Sequence, residues 1–240
     1  MFGSFSSVLT HLPDWLAGLR LTAVSSVFSF GIAFVLGVLG ATARRSPMWP
    51  LRFVGAVYVE TIRNTPVLLQ IFIAYFGLPA LGWHLTAFSA GVAALSINAG
   101  AYLTEIMRAG LQSVPSGQVE AARALALGNL HIFRHVVFPQ AMRYVYPPVI
   151  NQFVQIILGS SLLSTVALQE LTGTAETINS QTLETMQVFT VALVLYLLLT
   201  NLVSLGADLV ARHAFHPPLN VRTSMSTPWW RRRLLPTRGA

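Results

Sequence analysis

Long runs of apolar residues without charge are the feature that most limits how this chain can fold. Residues 21–43 carry no charged side chain, and further apolar stretches follow at about 54–78, 86–109, 146–168 and 186–210. A helix needs about 20 mostly apolar residues to cross a bilayer. Charged residues make up only 10% of the chain, whereas a soluble domain carries about 25%. The sequence therefore predicts an all-α, polytopic membrane protein with five transmembrane helices.

Arginine occurs in alternate connections of this five-span arrangement. The connections after the second and fourth spans contain none, and the latter holds three glutamates, Glu170, Glu176 and Glu184. Because basic connections stay in the cytoplasm, we expect the N-terminus outside and the C-terminus inside. The arginines that follow the first, third and fifth spans are Arg44, Arg45, Arg52, Arg123, Arg134, Arg143, Arg212 and those of the tail.

Composition also excludes several classes of function. The chain has no cysteine and no lysine, so it contains neither a thiolate metal site nor the lysine of a phosphate-binding P-loop. His131 and His135 are four residues apart but have no carboxylate nearby, and we expect them to be surface residues and not metal ligands. The eight acidic residues are spread out, which argues against a membrane-bound enzyme. The dispersed arginines indicate membrane topology and not nucleic-acid binding.

Residues 113–139 contain the signals for a helical hairpin between two spans. Pro115 begins a turn, residues 118–127 are good helix formers, and Gly128 with Asn129 is a credible stop. Residues 130–138 form a second short helix in this interpretation, ended by Pro139. Two interpretations remain open: a rigid knob that docks a soluble partner, and amphipathic helices that lie on the lipid surface.

Polar residues inside the apolar spans suggest a pathway through the membrane, because uncompensated polar groups are costly in lipid. Asn98, Tyr102 and Glu105 follow each other at helical spacing and share one face. The alternative is that such residues form hydrogen bonds that hold the helices together. The candidates for the pathway are Gln70, Asn98, Tyr102, Asn151, Gln152, Gln155, Ser160 and Ser161.

Two pairs of opposite charge are expected near the cytoplasmic ends of their spans. Glu60 with Arg63, and Glu105 with Arg108, are three residues apart and can neutralise each other on a helix. We interpret them as structural pairs or as an inner gate.

Several segments, in order, are similar to one family of transporters. They are YVETIRNTPVLLQ at 58–70, AYLTEIMRAGLQSVPSGQ at 101–118, EAA at 120–122, PQAMR at 139–143 and INSQT at 178–182. Together they resemble the permease subunits of ATP-binding-cassette (ABC) importers for polar amino acids, of the histidine, glutamine, arginine or glutamate type. This resemblance implies a type I importer permease over residues 16–212, between an external segment, 1–15, and a basic, proline-rich cytoplasmic tail, 213–240.

The resemblance also implies partners and a coupling site. The partners are ABC ATPase subunits, a second permease subunit that is either a copy or a relative, an external solute-binding protein and the lipid of a bacterial inner membrane, with no cofactor and no metal. The hairpin, at about 110–145, would touch the ATPase through Gln118, Glu120, Ala121, Ala122, Arg123, Leu125, Ala126 and Gly128. An ATPase-independent secondary transporter or channel is the alternative, although such proteins commonly show repeated halves, and none is found here.

The sequence departs from the family pattern at two places. The pattern has glycine where this chain has Ala126, and we expect alanine to shift or loosen contact with the ATPase. Many relatives carry a lysine–aspartate pair where this chain has Leu158 and Gly159, just before Ser160. The charge of the substrate is therefore not predicted, and histidine, arginine, glutamine, glutamate and cystine all remain open.

Overall fold

The computed structural model describes residues 10–215, which contain helices and no strand. The predicted N-terminal segment and basic tail therefore lie largely outside the described residues. The helices are α1 (Leu12–Arg44), α2 (Trp49–Arg63), α3 (Val67–Phe72), α4 (Ala87–Gln112), α5 (Ser116–Ala124), α6 (Asn129–Ile132), α7 (Phe138–Gly159), α8 (Leu171–Thr182) and α9 (Thr185–Ala214). Shorter turns extend them: π-helical at Ile73–Gly77 and Phe133–Val137, and 3₁₀ at Leu78–Leu81 and Ser160–Val166.

Four stretches of helix in the described part are long and apolar enough to cross a membrane, and a bent pair makes up the fifth predicted span. The second span, predicted at 54–78, is bent, because the helix axis turns by 105° between Trp49–Arg63 and Val67–Leu81. Pro66 explains the break. Its ring disfavours helical backbone at the preceding residue, and Pro66 itself is extended, with ψ of 132°.

The fourth span is longer than its apolar run. Helix continues from Asn129 to Val166, so the prediction of a separate short helix ended by Pro139 was wrong. Pro139 directly follows the π-helical turn Phe133–Val137 and does not interrupt the helical run. The hairpin is thereby joined to the span without a flexible linker.

Small residues bring α1 and α4 into close contact. A Cβ atom on Gly37 would lie 2.7 Å from the Cβ of Leu103, and one on Gly100 would lie 2.8 Å from the Cβ of Leu36. In lipid, where the hydrophobic effect does not drive helices together, such close packing of backbones is a main source of association. The two helices run parallel, with their C-terminal ends together.

Three buried apolar clusters join the remaining helices to this pair. One lies where α1, α8 and α9 meet, a second between α1, α4 and α7, and a third between α3, α4 and the 3₁₀ turn that follows α7. Their largest members are Trp15, Leu171 and Ile178 in the first, Leu103, Val145 and Ile156 in the second, and Ile71, Leu95 and Leu163 in the third. The packing of α3 and α7 on one side of α4 places their polar residues next to each other.

Candidate functional site

A polar cavity of about 570 Å³ lies between α3, α4 and α7. Its walls include five of the eight residues predicted for a pathway, namely Asn98, Tyr102, Gln152, Gln155 and Ser161. The other lining residues are Val67, Leu95, Ala99, Ile156, Leu158, Gly159 and Leu162. None of the lining residues carries a charge at neutral pH, so the cavity offers amides and hydroxyls against an apolar wall.

The amides of α7 are not used to hold helices together. Gln152 and Gln155 form no hydrogen bond with any described residue, and neither does the hydroxyl of Tyr102. Ser161 donates to the carbonyl of Leu158 on its own helix, at 2.7 Å. Side chains that hold helices together form hydrogen bonds between helices, so these four residues are available to a ligand instead.

Gln70 lies behind the cavity wall and not on it. Its amide nitrogen donates to the carbonyl of Ile62 at 3.0 Å and to the hydroxyl of Thr65 at 2.8 Å. Its oxygen accepts a hydrogen bond from Nδ2 of Asn98 at 3.2 Å. Gln70 therefore satisfies the free end of α2 at the bend and orients Asn98, whose carbonyl oxygen is left without a partner among the described residues.

Asn151 and Ser160 are not on the cavity wall either. Asn151 is partly buried on α7. Ser160 is fully buried, and its hydroxyl donates to the carbonyl of Ile157 at 2.8 Å. Helical spacing alone does not predict that Gln152 and Ser161 line the cavity while Asn151 and Ser160 do not. The difference depends on which helices pack against α7.

The two predicted charge pairs differ in the structure. Arg108 contacts Glu105 at 2.6 Å, as predicted, and Arg44 of α1 approaches the other carboxylate oxygen at 3.5 Å. Glu60 and Arg63 do not form the predicted ion pair. Glu60 instead accepts a hydrogen bond from Asn64 at 3.3 Å.

Arg63 is the last residue of α2, and its guanidinium carbon lies 5.1 Å from the centre of the Tyr102 ring. At that distance the positive charge is attracted to the face of the ring. The side chain of Arg63 therefore contacts α4 and not its own helix.

Sequence reasoning missed a buried carboxylate at the start of α8. The side chain of Glu170 is 0% exposed and accepts hydrogen bonds from the N–H groups of Thr172 and Gly173 and from the hydroxyl of Tyr196, at 2.7 Å. The hydroxyl of Thr22 accepts from the N–H of Leu171 at 3.0 Å. Burial raises the pKa of Glu170 above its ordinary value, and these donors oppose that effect. The network ties α8 to α1 and α9.

The hairpin helix α5 ends in a Schellman motif with alanine at the left-handed position. Leu127 N–H bonds to the carbonyl of Ala122 at 3.3 Å, and Ala126 N–H bonds to that of Arg123 at 2.9 Å. Ala126 has φ of 58°, a conformation that glycine adopts without strain. The glycine of the family pattern thus matches a position that needs left-handed backbone, and Ala126 adopts this conformation with conformational strain.

Gly128 does not stop this helix, contrary to our expectation. It is extended, with φ of −66°, and is the N-cap residue of α6. Of the residues predicted to couple to the ATPase, only Ala122 is buried, at 6% exposed. The others present their side chains or backbone to the surface: Gln118, Glu120, Ala121, Arg123, Leu125, Ala126 and Gly128.

The hairpin is fastened to the fourth span. Nε2 of Gln140, in the first turn of α7, donates to Oε1 of Gln118 at 2.6 Å and to the carbonyl of Val136 at 2.8 Å. Ile132 of α6 is buried, at 3% exposed, whereas Leu125 and Leu130 are 75% and 79% exposed. The result is a firmly attached knob with an exposed apolar surface.

Replacement of Ala126 by glycine is expected to stabilise the hairpin by about 1 kcal/mol, because a left-handed non-glycine residue costs about 1–2 kcal/mol and the flexibility of glycine offsets part of the gain. Amide hydrogen exchange of residues 122–128 in the intact protein should slow about fivefold. Ala121→Gly, on the exposed face of the same helix, is the control and should speed exchange. Equal effects at both positions would show that Ala126 is not strained.

Comparison with known proteins identifies the chain. The profile of the family described as binding-protein-dependent transport system inner membrane component matches residues 15–215. The chain belongs to this family. The permease is 39% identical to the probable glutamine ABC transporter permease protein GlnM of Bacillus subtilis, over 85% of this chain and 94% of that one. It is 37% identical to the octopine transport system permease protein OccM of Rhizobium radiobacter, over 79% and 81%.

Solved structures support the same assignment. The permease superposes on a chain of an amino acid ABC transporter, crystallised with histidines, with a TM-score of 0.83 and 33% identity. That match covers 89% of this chain and all of the other. The methionine transporter MetNI shares the fold, with a TM-score of 0.63. The permease is therefore a helical transport subunit of the inner membrane with the type I importer fold, as its sequence predicts.

Proposed function

We propose that this permease carries polar amino acids into the cell as part of an ATP-driven, binding-protein-dependent importer. The ATPase would be a separate chain on the cytoplasmic side, where the arginine-rich connections and the hairpin lie. A second permease subunit and an external solute-binding protein would complete the complex. The N-terminus would lie outside and the C-terminus inside.

The observation that carries this proposal is the polar, uncharged cavity between α3, α4 and α7. Its free groups are the amides of Gln152 and Gln155, the carbonyl oxygen of Asn98 and the hydroxyl of Tyr102. These groups can replace the water around an amino acid without holding it by a buried ion pair. The relatives agree with a substrate of this kind, because they are named as a probable glutamine permease, an octopine permease and an amino acid transporter.

The hairpin supplies a route from ATP to the cavity. Closure of the ATPase dimer would push on α5, whose side chain Gln118 is bonded to Gln140 at the base of α7. Because helix continues from Asn129 to Val166, a displacement at the hairpin would be passed along α7 towards Gln152 and Gln155. Movement of α7 against α4 would change access to the cavity and expose it to opposite sides of the membrane in turn. The ion pairs of Glu105 with Arg108 and Arg44 lie at the hairpin end of α4 and would form part of an inner gate.

ATP hydrolysis by the co-purified permease–ATPase complex in lipid tests this proposal. We expect the rate to rise when a candidate binding protein and one of a panel of polar amino acids are added together. Stimulation by one amino acid would establish coupling and identify the substrate. An ATPase that binds but responds to no amino acid would overturn the substrate class. Absence of any associated ATPase would favour the secondary transporter or channel.

A further inference from the structure

Arg63 is a positive charge at the edge of the cavity that no carboxylate neutralises directly. None of the ion pairs formed among residues 10–215 includes it. Its guanidinium lies over the ring of Tyr102, and Tyr102 lines the cavity. Its own side chain is exposed, and the nearest acidic residue along the helix, Glu60, is bonded to Asn64.

Contact with the face of an aromatic ring leaves the donors of an arginine available. Cation–π attraction uses no hydrogen-bond donor, and none of the N–H groups of Arg63 bonds to another described residue. Two of these N–H groups match the two oxygens of a carboxylate. Tyr102 therefore holds Arg63 in place while the fork remains open to a ligand.

The charges around this end of the cavity favour an anion. Glu105, one helical turn beyond Tyr102, is contacted by both Arg108 and Arg44. Together with Arg63, three guanidinium groups lie at this end of the cavity. The carboxylates on α2 and α4 are two, Glu105 and Glu60. The net charge of this group is positive, whereas the polar groups of the cavity wall are uncharged amides and hydroxyls.

We propose that Arg63 binds the α-carboxylate of the transported amino acid. The ammonium group then faces acceptors deeper in the cavity, among them the unpartnered carbonyl oxygen of Asn98. This inference rests on the proposed import of amino acids and adds the residue that sets the orientation of the substrate. It assigns Arg63 to recognition and not to the ion pair with Glu60 that its sequence spacing suggests.

Direct binding to the purified permease–ATPase complex in nanodiscs, without a binding protein, tests the assignment. The probes are three amino acids, each paired with the amine that lacks its carboxylate: L-glutamine with 4-aminobutanamide, L-histidine with histamine, and L-arginine with agmatine. A charge-assisted hydrogen bond contributes about 1.5–3 kcal/mol, so the wild-type complex should prefer at least one acid over its amine by about 10- to 150-fold.

Arg63→Met should remove this preference and leave the affinity for the amine nearly unchanged. A purely structural defect would weaken both ligands together, so the ratio separates recognition from folding. Arg45→Met, which removes an exposed arginine at the end of α1, is the matched control and should keep the wild-type ratio. Arg63→Lys keeps the charge but not the fork and should give an intermediate ratio.

The outcomes that overturn the proposal differ from one another. If Arg63→Met keeps the wild-type ratio, Arg63 does not bind the carboxylate, while amino-acid transport stands. If the wild-type complex binds none of the three amino acids, the assignment of Arg63 fails, whereas the proposed function is decided separately by the ATPase experiment. If Arg63→Met binds neither ligand, Arg63→Lys decides: an intermediate ratio supports the proposal and an unchanged ratio overturns it.

Discussion

Ala122→Pro in the hairpin is expected to reduce the rate of amino-acid uptake by about 100-fold or more, while the protein still inserts in the membrane. Ala122 is buried in the last turns of α5, and its carbonyl accepts the closing bond from Leu127. Proline there removes a helical hydrogen bond and clashes with the preceding turn, at a cost of about 3 kcal/mol, which corresponds to about 100-fold. Uptake of labelled amino acid by cells or proteoliposomes measures the loss.

Ser116→Pro is the matched control for this experiment. Ser116 is the first residue of α5, where proline is tolerated because the N–H has no partner within the helix. The preceding residue, Pro115, is already extended, with ψ of 133°. We expect near-normal uptake with Ser116→Pro. Normal uptake with Ala122→Pro would instead argue that the hairpin does not transmit force as a rigid helix.

Gly37→Leu is expected to destabilise the whole bundle, by about 3 kcal/mol or more. A side chain there meets the Cβ of Leu103 at 2.7 Å and its backbone carbonyl carbon at 3.3 Å. Backbone atoms cannot move aside without separating α1 from α4, so the cost should reach or exceed the upper end of the range for overpacked cores. Thermal unfolding of the purified protein, followed by size-exclusion chromatography after heating, measures the effect.

Gly31→Leu distinguishes packing from a general intolerance of α1 to leucine. Gly31 lies on the same helix, but nothing lies within 4 Å of the position that its Cβ would occupy. Leucine has a higher helix propensity than glycine, so this variant should be as stable as the wild type or slightly more so. Similar losses of stability at both positions would contradict the close α1–α4 contact.

The spans were predictable because the bilayer imposes a simple rule on composition. Mostly apolar runs of the required length predicted the spans near 21–43, 86–109, 146–168 and 186–210, and helices of the structure contain each of them apart from a few terminal residues. The bend in the second span was not predicted because hydropathy averages over its window, whereas Pro66 acts on the backbone of its neighbour. The helical extension of the fourth span below residue 146 was missed because the hairpin is amphipathic and not apolar.

The candidate site was predictable only along each helix. The spacing of Asn98 and Tyr102 places both on one face of α4, and the structure puts that face on the cavity. The contact of Arg44 with Glu105 and the bond from Gln140 to Gln118 join residues far apart in the chain. Helical periodicity contains no information about such pairs. Glu170 lies in a connection between spans, and glutamate is not a preferred N-cap residue, so only the structure shows that it caps α8.

By itself the sequence determined the helical membrane class, the alternation of arginine, the family and the polar faces of single helices, because these depend on local composition and spacing. Only the tertiary structure decided which polar residues meet. Arg63 ends α2 just before the bend, and its guanidinium lies over Tyr102 and not beside Glu60. The packing of α7 on α4 admits Gln152 to the cavity and leaves Asn151 outside. Both outcomes depend on the orientation of the helices relative to each other. Side-chain contacts throughout the bundle determine that orientation.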